Sequence, residues 1–162
     1  MDPISFAASI CGLTEAGKKV IRFISSMADA PQSAQKVLRE VQTLQIIFRQ
    51  LQELISDQGQ QSISRRERIC LDDLVATLTG CVCVFSELDG ALESLGAREG
   101  QDLTVLDKTK WAVKEENIEK ILMDLQMNKG SLQWMLSIYL WFVTHISYLI
   151  LFSCAFFSPN QF

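Results

Sequence analysis

The sequence has one histidine, three prolines and, after Lys129, no acidic or basic residue at all. Each scarcity removes a class of function. His145 stands within the uncharged C-terminal stretch, so residues 1–131 contain no imidazole. A Ser-His-Asp or Cys-His nucleophile needs an imidazole to take its proton, and many zinc sites need one as a ligand; neither can be assembled there. The five cysteines, Cys11, Cys70, Cys81, Cys83 and Cys154, are odd in number, sit in apolar runs and show no C-x-x-C spacing. On a helix Cys81 and Cys83 point about 200° apart, too divergent to share a metal. Buried thiols in a reducing compartment are the expectation. A formal charge of −4 and a pI near 5.0 exclude a nucleic-acid binder, which needs a basic stripe to displace phosphate counterions. The N-terminus reads as no secretory leader, because Asp2 stands where basic residues would and Lys18-Lys19 interrupt the apolar run. The charged part of the chain is therefore expected in the cytosol.

What is present divides in two. Every Asp, Glu, Lys and Arg lies between Asp2 and Lys129, whereas nine of the 14 aromatic residues follow residue 131. We read residues 1–131 as a helical domain, 132–157 as a hydrophobic, candidate transmembrane segment, and 158–162 as a short tail.

Within the charged part the apolar residues recur at helical spacing. A first helix over 2–27 opens on Asp2 as N-cap and Pro3 at the first helical position, and Asp29-Ala30-Pro31 ends it. In a second, over 31–57, Val37, Val41, Leu44, Phe48, Leu51 and Ile55 step by alternating fours and threes. Ser64 to Glu67 is a candidate capping box for a third, over 65–96. Its seam is Leu71, Leu74, Leu78, Cys81, Phe85, Leu88, Leu92 and Leu95, with Gly80 and Gly90 as interruptions unless a neighbour packs closely there. A fourth runs from about Leu106 through Trp111, Ile118, Ile121, Leu122 and Leu125 toward Leu132. With short polar loops and no alternating strand pattern, the fold class is all-α. The architecture is an antiparallel helical bundle of about four helices with a C-terminal hydrophobic helix.

The search for chemistry in these helices comes back empty. Gly12 to Lys19 has the glycine and lysine spacing of a phosphate-binding loop, but Lys19 replaces the hydroxyl that would hold magnesium and no strand precedes it. Asp72-Asp73 and Glu115-Glu116 read as solvated helix faces, and Trp111 as a core or rim anchor. No catalytic residue, cofactor, metal or small-molecule substrate is expected, and the chain is read as a non-enzyme.

The C-terminal stretch admits three readings: a membrane span, the last helix of the bundle, or a reading frame carried past an exon boundary. As a span, Ile138, Trp141, Phe142, Leu149, Leu151 and Phe157 mark the apolar run, and about 20 residues match a ~30 Å hydrocarbon core. Trp134, Tyr139 and Trp141 suit its near interface, and Lys129 places the body in the cytosol.

The motifs resemble a known family. Met1-Asp2-Pro3-Ile4-Ser5-Phe6-Ala7-Ala8-Ser9-Ile10-Cys11-Gly12-Leu13 looks like the opening M-D-P-[ILV]-S-x-A of the fungal N-terminal domain of STAND proteins. Asp29-Ala30-Pro31 and the following Val37-Leu38-Arg39-Glu40 resemble the entry to its second helix. Leu44 to Leu54 matches the continuation of that helix loosely. Lys110-Trp111-Ala112-Val113-Lys114-Glu115 and Lys129-Gly130-Ser131-Leu132 resemble its later segments. The same domain is catalogued in azaphilone-pigment cluster proteins and is related to HeLo-like bundles. The resemblance covers residues 1 to about 140. It implies a signalling or interaction module of fungal self/non-self recognition and cell death, acting through protein partners, self-association or a membrane. It further implies a membrane-active first helix, carried here by Ile4, Phe6, Ala7, Ile10 and Leu13. In the family a nucleotide-binding switch follows this domain. No phosphate-loop motif or repeat array follows here, so on this resemblance the chain reads as truncated before the switch. A tail-anchored protein with a cytosolic helical scaffold is the alternative.

Overall fold

The computed structural model describes the backbone of residues 3–27, 30–57, 65–95 and 111–156, and the side chains of 7–27, 30–54, 72–95 and 111–141. The described residues hold four long helices: α1 (Pro3–Ser25), α2 (Gln32–Asp57), α3 (Arg65–Ser94) and α4 (Glu115–Phe156). The all-α reading holds, and no strand occurs among the described residues.

Local chemistry sets the ends. After α1 the Ser26 amide bonds back to the Arg22 and Phe23 carbonyls at 3.1 and 3.2 Å, and the Ser26 hydroxyl also donates to Phe23 at 2.7 Å. These bonds satisfy carbonyls that the helix end leaves open. Pro31 stands just before α2, and its carbonyl accepts the Gln35 amide at 3.0 Å. It thus begins the hydrogen-bond ladder without needing an N–H of its own. The expected start of the fourth helix near Leu106 lies outside the described residues. Trp111 to Val113 are helical and Lys114 makes a turn, its amide on the Trp111 carbonyl at 2.9 Å, and Glu115 and Glu116 then fill the first turn of α4. Two acids there oppose the positive end of the helix dipole.

The helices form a ring around one core: α1 packs against α2 and α3, and α4 packs against the same two. Lys114 bonds to Ser94, and Thr77 to the Met135 sulfur at 3.8 Å, so α3 and α4 run antiparallel. Ser33 meets Glu115 and Glu40 meets Lys129, so α2 and α4 run the same way. Phe48 of α2 and Phe85 of α3 reach across the middle, their ring centroids 6.3 Å apart at a tilt of 52°. Val37, Val41, Leu44, Phe48 and Leu51 are buried, as are Leu78, Cys81, Phe85, Leu88, Leu92 and Leu95. Leu74 is only half-buried, packed against the edge of the core, and the side chains of Ile55 and Leu71 lie outside the description. Ala34, Ile47, Val84 and Ala91 are buried as well, because a helix touching two neighbours buries a wider face than one seam.

The core continues past the expected domain limit. Leu132 and Leu136 are buried with Ile118, Ile121, Leu122 and Leu125, and α4 crosses residues 131 and 132 without a break. The backbone stays helical to Phe156, but the side chains from Phe142 onward lie outside the description, and with them the apolar character expected of a C-terminal helix. Among the described residues, the stretch long and apolar enough to cross a membrane by composition is instead Asp72–Ser94 in α3. Its apolar positions include the core seam of that helix, which explains its composition.

Glycines separate into two kinds. A Cβ at Gly17 would lie 1.9 Å from the Gln45 amide nitrogen, and one at Gly80 would lie 2.9 Å from Asn128 Oδ1. Gln45 uses that nitrogen to bond the Thr14 carbonyl at 2.9 Å, so Gly17 lets α2 reach the backbone of α1. At Gly12 and Gly90 a Cβ would meet nothing within 4 Å. Replacing either of these two by alanine should raise stability by about 0.5–1 kcal/mol, through helix propensity alone. The urea midpoint of each variant, read by circular dichroism, checks this, and a fall would show that α1 or α3 uses the bare glycine.

Candidate functional site

The groups that could do chemistry are spread out and mostly satisfied. Gly12 to Lys19 lies inside continuous α1 rather than in a loop, and Lys18 pairs with Glu15 at 2.6 Å, holding the Glu15 carboxyl below its usual range. Asp72, Asp73, Glu115 and Glu116 are exposed, and Glu115 accepts the Ser33 hydroxyl at 3.1 Å. That hydroxyl in turn accepts the Trp111 indole N–H at 2.9 Å. Trp111 is 1 % exposed and Ser33 4 %, so this relay is a buried tie between the starts of α2 and α4. Glu40 accepts Lys129 at 2.5 Å and Gln126 at 3.2 Å, tying the same two helices further along. Among the described residues no buried side-chain nitrogen or oxygen lacks a partner, and no cluster of three metal-ligating side chains occurs.

The cysteines correct the sequence reading. Cys81 is buried as expected, but Cys11 and Cys83 are exposed, and the side chains of Cys70 and Cys154 lie outside the description. Cys11 and Cys83 belong to apolar runs by composition while falling on outer helix faces. Burial pushes the Cys81 thiol up to about 12, since the core cannot solvate a thiolate. Cys11 and Cys83 should therefore react quickly with a thiol reagent near pH 8, and Cys81 only at the rate of unfolding. Because the folded value lies above the unfolded one, near 9, the native state holds a proton that the unfolded chain has lost. This contribution to stability is intact below pH 9 and declines as pH rises toward 12. A Cys81→Ala variant should show a shallower loss over that range.

The first-helix residues are placed less openly than a membrane role requires. Ile10 and Leu13 are buried in the core and Ala7 is half-buried, whereas the side chains of Ile4 and Phe6 lie outside the description. Ile10 and Leu13 could meet lipid only if α1 left the bundle. Of the C-terminal set, Ile138 and Trp141 are exposed on α4; Phe142, Leu149, Leu151 and Phe157 lie outside the described side chains.

What the structure does bring together is a second apolar face. Met123 (62 % exposed), Met127 (67 %), Trp134 (73 %), Ile138 (43 %) and Trp141 (59 %) all project from α4. At 100° per residue they fall within an arc of about 60°, on the side opposite Ile118, Ile121, Leu125, Leu132 and Leu136. A helix apolar on two opposite sides has one face for the core and one for something else. The sequence reading found Trp134, Ile138 and Trp141 but not Met123 or Met127. Their signal was a second set of apolar residues half a turn away from the first.

Fold and surface together define an all-helical protein whose α4 carries a second, outward-facing set of apolar side chains among the described residues. The chain matches no family model, no curated protein and no solved structure.

Proposed function

We propose that this is a non-enzymatic helical interaction module that works at a membrane, its bundle cytosolic and its anchor the C-terminal part of α4. The observation that carries the reading is the charge-free continuation of α4 beyond its last described buried residue. Leu136 is the last buried residue described on that helix, and the backbone continues to Phe156 through sequence with no acidic or basic residue. That continuation is about 20 residues, or ~30 Å of helix, the thickness of a hydrocarbon core. Trp134, Tyr139 and Trp141 stand at its near end, where interfacial aromatics belong, and Lys129 is the last cation on the bundle side. The apolar stretch of α3 is a poorer anchor, because membrane insertion would strip the core of Leu78, Phe85, Leu88 and Leu92.

The motifs shared with fungal STAND N-terminal domains support a signalling role of the effector kind. Contact with lipid then falls first to α4, since Ile10 and Leu13 of α1 are committed to the core. Alkaline carbonate extraction of membranes from cells expressing the full chain tests the anchor. The protein should stay in the membrane pellet, and an Ile138→Arg, Leu149→Arg double variant should be released. Release of the wild-type chain overturns the reading.

A further inference from the structure

Resting on that reading, we propose that the outer face of α4 pairs with the same face of a second copy of this chain, the two helices side by side and parallel. Met123, Met127, Gly130, Trp134, Ser137 and Trp141 follow one another at alternating steps of four and three, the spacing of a coiled-coil seam. Four of these are the large exposed side chains already described, and the two between them are small. In a parallel pair, a seam residue at this position enters a hole of four partner residues: those four before and three after its own position, the one just before it, and the partner's copy of the same residue. For Trp134 these are Gly130, Gln133, Trp134 and Ser137 of the second copy, so the two indoles share one layer and the small residues on either side of it leave them room. The Ser137 hydroxyl already donates to the Gln133 carbonyl at 2.8 Å, so it enters an apolar seam without losing a hydrogen bond. In the sequence the same period reaches Thr144 and Tyr148.

A second chain fits this surface better than lipid does. Met123 and Met127 lie beside Glu119, Lys120 and Asp124 on α4, charges that keep that end of the stripe in water. A protein partner can cover methionines there; a bilayer cannot. With about 200 Å² for each large side chain, the exposed seam comes to about 600 Å² per copy. The pair then buries about 1,200 Å², past the ~1,000 Å² that a specific interface needs. Two copies anchored through the same end of α4 necessarily run parallel. At the rim, Glu119 of one copy approaches Asp124 of the other, like charges that salt screens, so pairing should strengthen with ionic strength.

The test is sedimentation of the full chain in density-matched detergent micelles across a hundredfold range of protein concentration. Wild type should sediment as a dimer. Gly130→Leu should fill the hole and raise the dissociation constant at least tenfold while leaving the bundle folded, since a Cβ at Gly130 meets nothing within 4 Å of its own chain. Trp134→Ala, which removes the opposing knob, should do the same and serves if the leucine variant fails to fold. Under mild oxidation Ser137→Cys should form a disulfide with its own counterpart, because parallel helices place the two copies of residue 137 opposite each other. A wild-type monomer throughout, or a dimer that both variants leave intact, overturns the pairing. A dimer that Ser137→Cys fails to cross-link overturns its parallel direction. The two proposals separate cleanly: a monomer held in membranes loses the pairing and keeps the anchor. A dimer released by carbonate loses the anchor and keeps the pairing.

Discussion

Trp111→Ala is expected to cost about 3–5 kcal/mol, the range for removing a buried aromatic, and so to consume much of the ~5–15 kcal/mol that holds a domain of this size. The argument has two parts. The indole is fully enclosed where the turn before α4 meets the start of α2, so its loss leaves a cavity that rigid helices on both sides cannot close. Its N–H is also the donor to Ser33, whose hydroxyl then reaches Glu115. Trp111→Phe separates the two contributions. It keeps most of the packing and drops the donor, for an expected loss of about 1–2 kcal/mol. Urea unfolding followed by far-ultraviolet circular dichroism measures both. If the phenylalanine variant loses as much as the alanine variant, the relay and not the volume dominates.

The resulting picture shows which physics a sequence displays openly. The seams of α2 and α3 were readable because burial against neighbouring helices imposes a period that substitution cannot hide, and every seam residue whose side chain is described between Val37 and Leu51, and between Leu78 and Leu95, is buried. The α2 boundary was readable for a different reason: Pro31 restricts the backbone before it and lacks an amide, a constraint written in one residue. The relay of Trp111, Ser33 and Glu115 was not readable. Its members lie 78 and 82 positions apart, and only the ring order of the helices brings them together. Cys11 and Cys83 misled because a thiol looks apolar in composition wherever it points. Gly80 and Gly90 look alike in the sequence, as helix interruptions unless a neighbour packs closely, and only at Gly80 does one, Asn128, lie against the backbone. For α4 the composition itself concealed the pattern. A helix with apolar residues on two opposite sides shows little net amphipathicity, so its second face read as a general loss of charge.

The same effect explains why a chain ending at Ser131 should fail to fold cooperatively. The change in composition near Lys129 is real, but the core does not stop there. Leu132 and Leu136 are buried, and Met135 accepts the Thr77 hydroxyl from α3. Losing the two leucines alone should cost about 4–10 kcal/mol, at about 2–5 kcal/mol for each buried side chain removed, which rivals the stability of the whole bundle. The shortened chain should keep helical circular dichroism, since α1, α2 and α3 retain their apolar faces, yet unfold over a broad range of urea with a reduced slope. A chain ending at Trp141 should instead unfold in one sharp transition. In the full chain, Leu132→Ala with Leu136→Ala should reproduce the loss without shortening anything. A sharp transition in the chain ending at Ser131 would mean that the last two turns of core on α4 are dispensable. A broad one would mean that bundle and C-terminal extension share one continuous helix as a working unit. Any displacement of the extension by a membrane or a second copy would then pass directly into the packing of α2 and α3, with no hinge to absorb it.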